Sequence, residues 1–148
     1  MRLSVCTDMI FTGLASYGDR IRAAADAGAA AIEFHLWRDK PIDEIEAALR
    51  ETGLGVAGII CDPRRPLADR SLHAQSLQDV REAIAVAARL KAQTLLCTVS
   101  LQFAQVPREE QRDNIIAYLR QAGPLAAAQG VTLVIEAVND VDHAGAFL

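Results

Sequence analysis

Aromatic residues, cysteines and long apolar runs are all scarce in this sequence. Phe, Trp and Tyr make up 5% of its 148 residues, so a core must consist mainly of Ala, Leu, Val and Ile. The three cysteines, Cys6, Cys61 and Cys97, stand far apart and form no CxxC pair. This spacing argues against a disulfide framework and predicts reduced thiols packed near strand ends. No segment reaches the length of a membrane span, and the first apolar run is too short for a signal peptide. We therefore expect a soluble, cytoplasmic protein with no membrane partner.

Basic residues are also in the minority and form no cluster. Fifteen Lys and Arg stand against nineteen Asp and Glu, which gives a formal net charge of -4 at pH 7. Because nucleic-acid binding depends on a cationic surface that contacts phosphates, we expect no nucleic-acid partner. With 51% hydrophobic residues the chain can bury a substantial core, and residues 1–148 are predicted to form one domain.

What the sequence does contain is a regular alternation of short apolar runs with helical patterns. A helical period over residues 72–90 marks the clearest of four helices, and its charged residues, Asp79 among them, are expected mostly off the buried face. The last helix begins at Pro107 and is expected to bend or split at Gly123-Pro124, because proline removes a backbone donor. The remaining helix boundaries are predicted from Ser16 with Asp19, Gly28, Pro41 and Gly53. The predicted strands are residues 3–6, 31–34, 56–60, 94–98 and 132–135.

Five strands alternating with four helices predict a parallel sheet with right-handed crossovers. Two closures remain open at this point. A doubly wound sheet usually carries a glycine-rich phosphate loop after its first strand, and residues 6–14 contain only Gly13. A (β/α)8 barrel needs about 250 residues, more than this chain has.

The stretch VTLVIEAVN, residues 131–139, ends the last predicted strand on a carboxylate. Glu136 lies at the C-terminal end of that strand, where parallel α/β proteins bind their ligands. This position makes Glu136 a candidate catalytic residue, and Asn139, at the same mouth, a candidate substrate contact. The alternative is that Glu136 only pairs with a nearby arginine at the strand end.

Polar residues also follow the second predicted strand. His35, Trp37 and Arg38 are candidates for lining a pocket that binds a substrate carboxylate, and the alternative is a loop with one anchoring aromatic. Glu33, within the strand, is interpreted as a hydrogen-bonded structural acid rather than a catalyst, because charged residues in strands are usually paired. His143 is either a local metal ligand or, like most lone loop histidines, solvated.

Several motifs occur in a characteristic order along the whole chain. They are DMIFT at residues 8–12, ADAG and AIEF within 25–34, the helix at 73–90, PLA and GVTL within 124–133, IEAVN at 135–139 and GAFL at 145–148. Together they resemble the sugar phosphate isomerase/epimerase group of xylose isomerase-like TIM barrels, and within it the hydroxypyruvate isomerases. The resemblance implies an incomplete parallel (β/α) barrel, an N-terminal portion of about five strands and four helices.

The resemblance also implies a metal-assisted isomerase or epimerase of carbohydrate metabolism, acting on a small sugar or keto acid. In such enzymes a divalent ion (Mg, Mn, Co or Zn) holds the substrate oxygens, while two glutamates move a proton between adjacent carbons through an enediolate. Glu136 matches the first glutamate, which is both metal ligand and proton-transfer group. The remaining ligands of the family, an Asp, a His or Gln and a second Glu, follow the fifth strand and have no counterpart before Leu148. We therefore expect the isolated chain to be inactive.

Three functions follow from these expectations. The chain is the N-terminal part of an isomerase, or a half-barrel that completes its site as a homo-oligomer or with a complementing chain, or a non-catalytic binding domain. DNA-repair endonucleases of the same superfamily are disfavoured by the acidic charge and by three scattered histidines. For the sheet we expect the order 1-2-3-4-5, with all helices on its convex face.

Overall fold

A computed structural model describes residues 1–98, 106–136, 141 and 145 of the chain, which alternate strand and helix. The strands are β1 (Ser4–Cys6), β2 (Ala31–Phe34), β3 (Gly55–Ile60), β4 (Thr94–Thr98) and β5 (Thr132–Glu136). The helices are α1 (Tyr17–Asp26), α2 (Ile42–Thr52), α3 (His73–Arg89) and α4 (Arg108–Ala127), with short 3₁₀ turns at Trp37–Asp39 and Arg70–Leu72. All nine predicted elements are confirmed, most of them to within one or two residues.

The helix boundaries follow from local capping chemistry. Ser16 Oγ accepts a hydrogen bond from the backbone N–H of Asp19 at 3.0 Å, which satisfies one of the free donors in the first turn of α1. Pro41 precedes α2, and Gly53 ends it in the left-handed conformation at φ 73°, which glycine adopts without steric cost. These predicted start and stop residues are confirmed.

Helix α4 is predicted to bend or split at Gly123-Pro124, and it does not split, because Pro124 lies inside one continuous helix. A proline within a helix removes only its own N–H donor, and the turn continues after it, since the N–H of Ala128 donates to the Pro124 carbonyl at 3.1 Å. Ala122 and Ala126, on either side, are fully buried. Burial of this face holds the helix together across the missing bond.

The five strands form one parallel sheet in the order β1-β2-β3-β4-β5, as predicted. The register places Glu33 opposite Cys6 on one side and Gly58 on the other, and it pairs Thr98 with Glu136 at the far end of β4 and β5. The pairing of β2 with β3 is irregular between Ile32 and Glu33. Because the strands are parallel, their C-terminal ends share one edge of the sheet.

One face of the sheet is packed against the helices. Side chains from all four helices join one core with residues of β2, β3 and β4. Ile32, Val56 and Leu95 are at most 1% exposed, and Cys61 and Cys97 are buried beside them, so the packing predicted for these two thiols is confirmed. Among the described residues no helix has both the length and the apolar character to cross a membrane.

Candidate functional site

An open pocket of about 230 Å³ lies on the other face of the sheet, toward the C-terminal ends of the strands. Its walls come from β2, β3, β4 and β5, so residues far apart in sequence meet there. The polar and small residues that line it are Glu33, His35, Gly58, Thr94 and Glu136. This is the position that parallel α/β proteins use for ligands.

Glu136 is the last residue of β5 and its side chain is exposed at the pocket. Within residues 1–98 and 106–136 its carboxylate makes no ion pair or hydrogen bond, so the arginine partner considered as an alternative is not found there. An ionised carboxylate whose lone pairs are free can take a proton from a bound molecule or bind a cation.

Glu33 lies in the same pocket, three strands away. Its side chain is exposed, and no group in the described part of the chain donates a hydrogen bond to its carboxylate. The interpretation of Glu33 as a hydrogen-bonded structural acid is therefore not supported by those residues. The alternation of β2 gives the reason, because Ile32 and Phe34 on either side face the core and turn Glu33 to the open face.

Gly58 forms the floor of the pocket between Glu33 and Thr94. A Cβ atom at this position would lie 2.5 Å from Thr94 Oγ1, closer than two such atoms approach. The Thr94 hydroxyl is fixed there because it donates to the carbonyl of Ala57 at 2.8 Å. The absence of a side chain at Gly58 thus makes room for the Thr94 hydroxyl at the floor of the pocket. This role of Gly58 is not among the predictions from the sequence, although a glycine inside a strand often marks a close approach of another group.

His35 stands at the rim, immediately after β2. Its backbone N–H donates to Asp8 Oδ2 at 2.6 Å, and its ring Nε2 lies 3.5 Å from Cys6 Sγ. Cys6 is only half-buried, unlike the other two cysteines. The pKa of its thiol is raised, mainly by burial and further by the negative charges of Asp8 and Glu33. Because His35, Glu33 and Glu136 all line this pocket, the structure brings the three residues together.

Trp37 and Arg38 lie on the 3₁₀ turn at Trp37–Asp39 and do not line the pocket. The Arg38 guanidinium stacks on the Trp37 ring at 4.6 Å and contacts Glu82 at 2.7 Å and Asp79 at 3.5 Å. Its Nε also donates to the Asp62 carbonyl at 3.0 Å. These contacts tie the loop after β2 to α3, and the binding of a substrate carboxylate by Arg38 stays a prediction.

Asp79 corrects one expectation about α3. We expected the charged residues of this helix mostly off its buried face, but Asp79 is 5% exposed. It is buried because it has partners: the Arg65 guanidinium donates to Oδ2, and Arg38 approaches Oδ1. A buried carboxylate needs such partners, because they offset part of its lost contact with water, and hydrophobic periodicity does not reveal them.

Two predicted residues, Asn139 and His143, lie outside the residues that the structure describes. In the part of the chain that is described, no three His, Cys, Asp or Glu side chains come close enough to hold a metal ion. Glu136 and Glu33 each offer oxygen ligands, but a divalent cation needs several. The described residues therefore do not amount to a complete metal site.

Comparison with known proteins gives a family and a fold. The family model described as xylose isomerase-like TIM barrel matches residues 21–146. No curated protein matches the chain.

Solved structures match nearly the whole chain. An AP endonuclease, family 2, from Brucella melitensis has a TM-score of 0.88 at 24% identity, over 99% of this chain and 59% of its own. A 3-keto-D-glucoside 4-epimerase from E. coli has a TM-score of 0.79 at 17% identity, over 94% and 57%. A D-allulose 3-epimerase from Methylomonas sp., solved with D-allulose, has a TM-score of 0.76 at 22% identity, over 94% and 52%. The chain thus spans between about half and three fifths of the length of these structures, and the likeness confirms the predicted barrel-type fold.

Proposed function

The chain belongs to the xylose isomerase-like TIM barrel family, and we propose that it forms part of a sugar or keto-acid isomerase or epimerase. The observation that carries the proposal is one pocket at the C-terminal ends of parallel strands. It holds the carboxylates of Glu33 and Glu136, which have no partner among the described residues, beside His35. Structural neighbours that are sugar epimerases support this class. Hydroxypyruvate, a small keto acid, is the substrate that the sequence motifs favour.

In the proposed reaction Glu136 is the acid-base group. Its carboxylate removes the proton from a carbon next to the substrate carbonyl, which leaves an enediolate. In an isomerase the same carboxylate returns the proton to the adjacent carbon. In an epimerase the second glutamate of the family pattern, which would come from outside the described residues, protonates the opposite face of the same carbon. Its position at the end of β5 suits this role, because the side chain reaches the pocket without a competing partner among the described residues.

His35 and Asn139 are the proposed substrate contacts. His35 offers a ring nitrogen at the rim of the pocket, where it can hydrogen-bond a hydroxyl or carboxylate oxygen. For Trp37 and Arg38 we propose an indirect part, in which the stacked pair supports the loop that carries His35.

A divalent ion enters the proposal only through Glu136, which would supply one ligand. The other ligands would have to come from outside the described residues, since those residues hold no group of three ligands. Proton transfer by Glu136 is proposed independently of the ion.

A second candidate function is an assembly-dependent half-barrel or non-catalytic binding domain. The observation that favours it is the sheet itself, in which β1 and β5 are edge strands among the described residues, each paired on one side. Unpaired edges promote association with another strand. A DNA-directed function, which the AP endonuclease among the structural neighbours suggests, is disfavoured by the net charge of -4.

The test is exchange of a carbon-bound substrate proton with solvent. The protein encoded by the full reading frame that contains residues 1–148 is incubated in D₂O with Mn²⁺ and with hydroxypyruvate, D-fructose or D-allulose. Deuterium incorporation is followed by NMR. We expect Glu136→Gln to slow exchange by at least about a hundredfold. Glu110→Gln, in the exposed first turn of α4, is the matched control and should exchange like the wild type.

The same assay separates the two candidate functions. The isolated 148-residue chain should show no exchange if the site needs further strands, and exchange that rises with self-association would favour the half-barrel. Undiminished exchange in Glu136→Gln would refute the proposed role of this carboxylate.

A further inference from the structure

Asp8 joins the first two strand ends at the rim of the pocket. Oδ2 accepts the hydrogen bond from the backbone N–H of His35 at 2.6 Å, and Oδ1 accepts one from the Tyr17 hydroxyl. The Lys40 ammonium lies 3.7 Å from Oδ1. One carboxylate therefore contacts the start of α1, the residue after β2 and the approach to α2.

This cluster is well shielded from water. The side chain of Asp8 is 17% exposed and that of Lys40 is 9% exposed. A charge with so little water needs partners, and Asp8 has three. Arg20 and Lys40 both lie over the Tyr17 ring, at 4.9 and 5.6 Å, so the ring is held as well. Burial and the hydrogen bond to Asp8 raise the pKa of Tyr17 to about 12, so its hydroxyl stays a donor well above neutral pH.

The backbone beside His35 is strained, and the contacts of Asp8 help to hold it in that conformation. Leu36 has φ 44°, in the left-handed region that a branched side chain avoids. Such a conformation persists only where its surroundings impose it. Carboxylates fix the backbone on both sides, because His35 N–H donates to Asp8 and Arg38 N–H donates to Asp62 Oδ2 at 3.2 Å.

We propose that Asp8 is the positioning residue for His35. Its carboxylate holds the backbone before the Leu36 turn, so that the imidazole stands beside Cys6 at the pocket in place of swinging into solvent. The inference rests on the proposed function only for what the imidazole then does to a substrate. The placement itself is a property of residues 1–40.

The test is an NMR comparison of Asp8→Asn, Asp8→Ala and Tyr17→Phe in the 148-residue chain. In the wild type the short bond to a carboxylate should place the His35 amide proton downfield, and the His35 ring should give NOEs to Cys6. Both signatures should be lost in Asp8→Ala and weakened in Asp8→Asn. Tyr17→Phe should keep them largely intact, because the bond from His35 to Oδ2 remains.

Glu44→Gln is the matched control. Glu44 Oε1 also accepts a backbone hydrogen bond of 2.6 Å, from Gly18 N–H, but between α1 and α2 and away from the pocket. A general loss of order would disturb the His35 signatures in this variant too, whereas positioning by Asp8 leaves them unchanged. Asn has nearly the size and shape of Asp, so Asp8→Asn keeps the test valid even if Asp8→Ala fails to fold.

Unchanged His35 amide and ring signals in both folded Asp8 variants would overturn the inference. In the full reading frame, if it turns over a sugar or keto acid, Asp8→Asn should lower kcat/KM by on the order of a hundredfold through misplacement of the imidazole. If no turnover is found, the proposed function fails, but the NMR result on His35 still stands or falls by itself.

Discussion

The two faces of the sheet treat neighbouring residues of one strand in opposite ways. On β2, Ile32 is fully buried against the helices, whereas Glu33, the next residue, is exposed in the pocket. The helix face is closed by apolar packing, and the other face carries carboxylates, a histidine and a glycine. Successive side chains of a strand point to opposite faces of the sheet. The two faces differ here because helices cover one of them and the pocket lies on the other.

Carboxylates show the same difference. Asp79, on the helix side, is buried and bonded to Arg65 and approached by Arg38. Glu33 and Glu136, on the open face, have no such partner among the described residues. A paired carboxylate contributes to holding loops together, while an unpaired one at a strand end is available to a ligand. Pairing thus distinguishes Asp79, a structural acid, from Glu33 and Glu136, the candidate functional acids of the pocket.

The largest expected effect is the stability contrast between the two faces. Ile32→Ala should lower the free energy of unfolding by about 2–5 kcal/mol, because it leaves a cavity in a fully buried site. Glu33→Gln, on the next residue, should change it by less than about 0.5 kcal/mol, as for an exposed substitution. Urea unfolding followed by circular dichroism measures both.

Equal losses in these two variants would contradict the comparison, because they would mean that Glu33 is as tightly packed as the core. Ile32→Val is a graded control and should cost about 0.5–1.5 kcal/mol.

The floor of the pocket gives the next effect in size. Gly58→Ala should cost about 1–3 kcal/mol, because the new Cβ displaces Thr94 Oγ1 from its bond to Ala57. In a Thr94→Ala background the clash is absent, since the remaining atoms of residue 94 lie at 3.5 Å or more from that Cβ. A double-mutant cycle should therefore show strong coupling, and additive losses would show that Thr94 does not occupy the space left by Gly58.

Much of the architecture could be predicted because it follows from local patterns. Continuous apolar runs gave the five strands, and caps such as Ser16 and Gly53 gave the helix ends. The location of Glu136 at a strand end needed only the end of one apolar run. Helix α4 continues through Pro124 for a tertiary reason, because burial of Ala122 and Ala126 outweighs the missing bond.

The site could be predicted only in part, because its remaining features depend on contacts between distant segments. Gly58 is an ordinary strand glycine until Thr94 lies beside it. Asp8 is a loop residue until it meets the His35 backbone, 27 positions away. Asp79 is off the buried face by hydrophobicity alone, and only its arginine partners explain its burial. Such pairings leave no periodic pattern in a single sequence.

The smallest expected effect lies at the rim where the two faces meet, and it depends on pH. Burial and the hydrogen bond to Asp8 raise the pKa of Tyr17 to about 12, against about 10 in an unfolded chain. The folded state therefore holds the phenol proton more tightly. The stabilisation is fully present below pH 10 and is lost as the pH rises toward 12. The hydrogen bond and the charge of Lys40 act in the opposite direction, lower the pKa of Tyr17 and limit the size of the shift.

Tyr17→Phe isolates this contribution from that of Tyr118, whose pKa is also raised by burial. Unfolding free energies at pH 8, 10 and 11 should decline less steeply in Tyr17→Phe than in the wild type. In Asp8→Asn, phenolate absorbance should show Tyr17 ionising closer to pH 10 than it does in the wild type. Identical pH slopes in the wild type and Tyr17→Phe would mean that the Tyr17 hydroxyl is not held by Asp8, and would remove one of the three contacts that fix this carboxylate at the rim.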